Sequence, residues 1–168
     1  SNTTTRAGET DGSTTDGELN ERKIKDVHIY AFQNNRFIEE VKYVSIFGTD
    51  GDITRTIQGT LSESYNSAVA VKLIVVVNGE NKQAIKSGTP TLSNTTAPAM
   101  LYSQLVFNYD SSDDWSTYIP MAGECEIQPL QAGDYNKAEL QLTRAIAKVN
   151  VTVNKGKGLE GVEITEIT

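Results

Sequence analysis

Residues 140–153, LQLTRAIAKVNVTV, decide how the chain is read. Ala145, Ala147, Val149, Val151 and Val153 fall on one parity, and Lys148, Asn150 and Thr152 on the other. Alternation with period two and β-branched residues on the inward side is the pattern of a half-buried strand. Ahead of it, Leu140, Leu142 and Ile146 sit on the opposite parity, so the apolar face switches near Arg144. A bulge does this, because one extra residue flips every later side chain, and so does cover on both faces. Residues 137–149 are also rich in helix formers, which makes a helix the competing reading. The β-branched run that follows decides for a strand.

Working upstream, the same alternation recurs. Ile24, Val27, Ile29, Ala31 and Phe32 predict a strand over 26–32, closed by a turn at Asn34-Asn35, where Asn tolerates positive φ. Phe37, Val41, Tyr43, Val44, Ile46 and Phe47 predict one strand over 36–47, followed by a turn at 48–52. The Asp50-Gly51-Asp52 triplet resembles part of a calcium loop, yet it lacks the further oxygen ligand and the closing Glu, so it reads as turn chemistry. Ile53, Ile57 and Leu61 mark a strand over 53–61. Residues 68–78, AVAVKLIVVVN, are the most apolar run and read as a strand covered on both faces. Asn78-Gly79 adds a hairpin signal. Residues 80–100 read as a long surface connection with a short helix at 81–87, and residues 101–109 as a strand. Residues 124–130 alternate again, and a last apolar pattern runs over 159–168.

Seven or eight strands separated by turns, with no βαβ alternation, predict an all-β antiparallel β-sandwich. Its 168 residues suit one domain that buries roughly 70% of its unfolded surface. Residues 1–20 are Thr, Gly, Asp and Ser with little apolar content, and so read as a flexible leader before a domain over 21–168. Arg6-Ala7 is a basic site in that leader, where proteases cut most readily. The pattern stops abruptly at Thr168, as at the edge of a domain cut from a longer protein.

Composition excludes several functions. With 22 acidic and 15 basic residues the net charge is -7, against nucleic acid or an anionic membrane as partner. No apolar run approaches the length of a spanning helix, and residues 1–20 hold no signal-peptide core. The single cysteine, Cys125, lies between Glu124 and Glu126, which raises a thiol pKa rather than activating it. The single histidine, His28, reads as a strand side chain. One Cys and one His leave little to build a zinc site or a catalytic dyad. No phosphate loop, dinucleotide fingerprint, nucleophile elbow or metalloprotease motif is present, so the sequence predicts neither an enzyme nor a cofactor.

Three pieces together resemble a known family. Ile119-Pro120-Met121-Ala122-Gly123 is followed, roughly twenty residues on, by Leu142-Thr143-Arg144-Ala145-Ile146-Ala147-Lys148-Val149-Asn150-Val151, and the strand at 27–32 lies upstream. This combination resembles the N-terminal domain of the fimbrillins, the type V fimbrial pilin subunits of Bacteroidales bacteria. The resemblance implies a transthyretin-like β-sandwich, exported to the cell surface as a lipoprotein precursor, with Pro120, Met121, Gly123, Leu142, Arg144, Ala145, Ala147, Lys148 and Val149 as structural motif residues. It also implies cutting after an N-terminal arginine, matched here by Arg6-Ala7, which opens a groove filled by a strand of the next subunit. Residues 1–5, SNTTT, are too polar to be the strand removed, so either that strand lies upstream or this member is not processed. The lipobox cysteine is absent, and the second sandwich domain usual in the family is expected to be missing from this chain. The partners implied are other fimbrial subunits, with host proteins or glycans as adhesion targets. The runner-up is a carbohydrate- or host-ligand-binding module using Trp115 and Tyr118 beside Asp113 and Asp114. Its rival at Trp115 is an ordinary core side chain.

Overall fold

The computed structural model describes residues 18–106, 112, 114–127, 130 and 136–144. After a 3₁₀ turn at Leu19–Arg22 come β1 (Val27–Gln33), β2 (Arg36–Glu40), β3 (Lys42–Phe47), β4 (Thr56–Thr60) and β5 (Val71–Val77). A short helix α1 (Pro98–Tyr102), β6 (Met121–Ile127) and β7 (Thr143–Arg144) follow. The described residues form a five-stranded sheet of order β2-β1-β5-β6-β7 and a two-stranded sheet β3-β4. Every strand pairing among the described residues is antiparallel. The chain is all-β, as its alternation predicts.

The two parities of β1 and β5 build two separate cores, one on each face of the large sheet. Ile29 stands opposite Val75 and Val27 opposite Val77. With Met121 they form a lower core covered by Val44 of β3, Ile57 of β4, and Leu140 and Leu142. The even positions Tyr30 and Phe32 join Ile74 and Val76 in an upper core, closed by Ile85 and Leu101. The strand read as covered on both faces is therefore β5. Residues 80–100 are more than a surface connection, because Ile85 and Leu92 lie against the upper core.

Local chemistry explains the joints. Asn34 and Asn35, at φ 50° and 61°, make the two-residue turn between β1 and β2. The single strand expected over 36–47 is two strands in different sheets. The Val41 amide donates to the Ile29 carbonyl at 2.8 Å, while the next residue, Lys42, already pairs with Thr60 in the small sheet, and Tyr43, at φ 52°, sits in the irregularity between Lys42 and Ser45. Asn78 has the expected left-handed conformation, φ 58°, but no tight hairpin follows, because the next strand paired with β5 is β6. Buried Asn78 serves as a junction instead. Its Nδ2 donates to the carbonyls of Lys23 and Ile119 at 2.9 and 3.0 Å, and its Oδ1 accepts from the Lys25 amide at 2.7 Å. No helix forms at 81–87, a run of turns; it forms at Pro98–Tyr102, within the stretch partly read as a strand over 101–109. Proline at the first helical turn costs no hydrogen bond, and the helix places fully buried Leu101 on the sheet. Residues 107–109 lie outside the described residues, as does the pattern over 159–168.

Candidate functional site: the two edges of the large sheet

A protein built of strands offers partners its sheet edges, and the two edges of the described sheet differ. At the β2 edge, the Phe37 amide donates to the Thr96 carbonyl at 2.9 Å. Neighbouring glutamates of β2 point to opposite faces. Glu39, 6% exposed, is held by the segment after β4. Its carboxylate accepts from the Ser62 amide at 2.9 and 3.1 Å, the Ser62 hydroxyl at 2.9 Å, the Glu63 amide at 2.9 Å and the Tyr65 hydroxyl at 2.8 Å. Burial alone would raise its pKa, but these donors outweigh burial and hold it below the ordinary carboxylate value. Gln33 fastens the same segment through Asn66 and Val69.

Glu40 turns to the other face and meets His28. Its Oε1 is 2.5 Å from His28 Nδ1, while Glu80 Oε1 is 2.7 Å from His28 Nε2. The hydrogen bond to Glu40, opposed by burial and reinforced by Glu80, pushes the imidazole pKa up to about 9. Asp26 completes the group: its Oδ1 accepts from the Glu80 amide at 3.1 Å, and burial raises its carboxyl pKa. The sequence reading missed this cluster. Its members lie at 26, 28, 40 and 80 and meet only through the register of β1 with β2 and the turn after β5. The acidic character of each segment was the one signal available.

At the opposite edge the two halves of the quoted motif meet. Met121 stands opposite Arg144, and Ala122 opposite Thr143. Pro120 and Met121 are buried, and Leu142 lies against the lower core. Gly123 is required by close approach: a Cβ there would come 2.4 Å from the Gln141 carbonyl oxygen and 2.8 Å from Leu140 Cδ1. Residues 140–142 thus cross tightly over β6. Among the described residues, β7 pairs only with Met121 and Ala122, and no strand flanks 123–127 on that side. Ala145, Ala147, Lys148 and Val149 lie outside the described residues, as do Arg6 and Ala7.

The aromatic pair proposed for ligand binding is already engaged. Lys82 Nζ lies 4.5 Å from the centre of the Trp115 ring and Lys25 Nζ lies 5.8 Å from that of Tyr118. Asp113 lies outside the described residues. Asp50 and Asp52 hold their own turn, accepting from Ile24, Arg55 and Thr49. Cys125 is half-buried on β6, and burial followed by the Glu124 charge pushes its thiol pKa up. Among the described residues no helix is long and apolar enough to cross a membrane.

The family profile of the fimbrillin-A associated anchor proteins Mfa1 and Mfa2 matches residues 3–168. No curated protein and no solved structure matches significantly.

Proposed function

Since the chain belongs to the family of fimbrillin-A associated anchor proteins Mfa1 and Mfa2, we propose that it is a structural subunit of a bacterial surface fimbrium that assembles by strand exchange. In this reading it is exported as a lipoprotein precursor to the outer membrane and carries a transthyretin-like sandwich. A further domain follows in the full-length protein, and adhesion to host proteins or glycans is a property of the assembled fimbrium. Cutting after Arg6 removes an N-terminal strand encoded upstream and opens a groove for the neighbour.

The observation that carries the reading is the family match over nearly the whole chain. The contrast between the sheet edges supports it. At β2, Thr96 already uses an edge amide, and Glu39 anchors the adjoining segment. At β6, the residues beyond Ala122 have no flanking strand among those described. We take β6 as the receiving edge. An added strand satisfies main-chain groups along it, and its alternate apolar side chains reach the lower core beside Leu140 and Leu142. An unpaired strand edge is an aggregation hazard, which is the physical reason to keep it masked until export is complete.

Limited trypsin digestion of the full-length precursor, with N-terminal sequencing and sizing of the product, tests the reading. Cleavage after Arg6 followed by detergent-resistant ladders is the expected result. A trimmed product that stays monomeric would sink strand exchange and leave a terminal or anchoring role for the chain.

A further inference from the structure

We propose that Asp26, His28 and Glu80 form a binding site for a divalent transition-metal ion of the zinc type. One ligand atom from each of the three lies within 4.8 Å of the other two. They come from short, well-fixed pieces of chain. His28 is inside β1 and Asp26 immediately precedes that strand. Glu80 follows the Asn78 junction, with its amide bound to Asp26 Oδ1.

The histidine is presented as a metal ligand would be. Metal-bound imidazoles give their second ring nitrogen to a carboxylate, which fixes the ring and raises the basicity of the ligating nitrogen. Here Nδ1 meets Glu40 at 2.5 Å, so Nε2 faces Glu80. Around a zinc ion the donor atoms sit at about 2.0–2.2 Å from the metal, hence roughly 3.3 Å from one another. Glu80 Oε1 is 2.7 Å from Nε2, and its side chain is 56% exposed, so it is free to back away by the needed fraction of an ångström. The ion takes the place of the proton on Nε2, which leaves to solvent.

Two unpartnered oxygens point independently to a missing ligand. Asp26 Oδ2 is buried with no hydrogen-bond partner among the described residues, and so is the Tyr30 hydroxyl. Tyr30 is 1% exposed, its ring stacks on His28 at 6.3 Å, and its phenol feels the negative charges of Glu40, Glu80 and Asp26. A buried hydroxyl without a partner is costly. A metal ion with its bound water satisfies both oxygens: Asp26 as ligand and Tyr30 as a hydrogen-bonding neighbour of the water. A His with two carboxylates leaves at least one coordination position to that water, or to a group on another molecule.

The test is calorimetric titration of Zn²⁺ into the metal-free protein, paired with Co²⁺ absorption spectra. Saturable binding of one ion with a Kd in the micromolar range is expected, and Co²⁺ bands should appear without a thiolate charge-transfer band, which separates this site from Cys125. His28→Gln should weaken binding about 100-fold, and Glu80→Gln and Glu40→Gln about 10-fold each. Glu80 is exposed, so its variant remains informative if His28→Gln fails to fold. Absence of saturable Zn²⁺ uptake by the wild type up to about 1 mM would overturn the proposal, as would unchanged affinity in Glu80→Gln.

Discussion

The two edges of the five-stranded sheet are built on different principles. The β2 edge is held by polar fasteners that reach across long stretches of sequence: Glu39 to residues 62–65, Gln33 to Asn66 and Val69, Phe37 to Thr96, and Glu40 to His28. The opposite edge, where the short β7 pairs with only the start of β6, is held by shape. Residues 140–142 cross over Gly123 with no room for a side chain, Leu140 and Leu142 enter the lower core, and described pairing is confined to Met121 and Ala122. Polar fasteners fix one arrangement, because each broken bond strands a buried group. An apolar contact is less particular about which chain supplies it, since burial is not directional. An edge meant to exchange strands is better built in the second way.

The largest effect is expected at the shape-held edge. Gly123→Val drives a side chain into the Gln141 carbonyl, displaces residues 140–142 and removes Leu140 and Leu142 from the core. A loss of about 3–4 kcal/mol in urea unfolding is expected, the range for a backbone clash combined with lost core contacts. A change under about 0.5 kcal/mol, the size of an ordinary surface substitution, would show that the crossing is not needed for the fold.

A somewhat smaller effect belongs to the fastened edge. Glu39→Ala leaves the Ser62 and Glu63 amides and the Tyr65 hydroxyl without their acceptor, and a cost of about 2–3 kcal/mol at neutral pH follows. The effect has a pH signature. The folded pKa of Glu39 lies below the ordinary 4.5, so its contribution is present above that pH and fades as pH falls through the folded value. The gap between wild type and Glu39→Gln in urea midpoint should therefore narrow steadily below pH 4.5. A gap that stays constant into acid would mean that the ionised carboxylate is not what holds the segment.

The same contrast separates what was readable in the sequence from what was not. β1 and β5 were legible because their alternation and apolar density depend on burial alone, and cover on both faces of β5 followed from the run at 68–78. The sequence shows the pieces at 120–123 and 142–144 only as motifs that occur together; the register of Met121 with Arg144 supplies the physical link. The split of residues 36–47 was hidden, since apolar residues continue past Val41 and nothing in the alternation marks the change of sheet at Lys42. Asn78-Gly79 gave the right backbone conformation and the wrong partner, because turn chemistry is local and strand pairing is not. Residues 101–109 read as a strand from their aromatic and aliphatic content, whereas the helix there begins at Pro98, in the stretch that reads as a surface connection. The Asp26, His28, Glu40 and Glu80 group was out of reach for the same reason: each member looks ordinary until the sheet register brings it beside the others.

Amide hydrogen exchange, read residue by residue on the processed subunit before and after assembly, tests the difference between the edges most directly. The outward amides within 123–127 should exchange readily in the monomer and slow by about 100-fold or more in the polymer, as they gain main-chain partners, while those of β2 stay unchanged. Protection that appears on Arg36–Glu40 instead, with 123–127 unaltered, would contradict the assignment of β6 as the receiving edge.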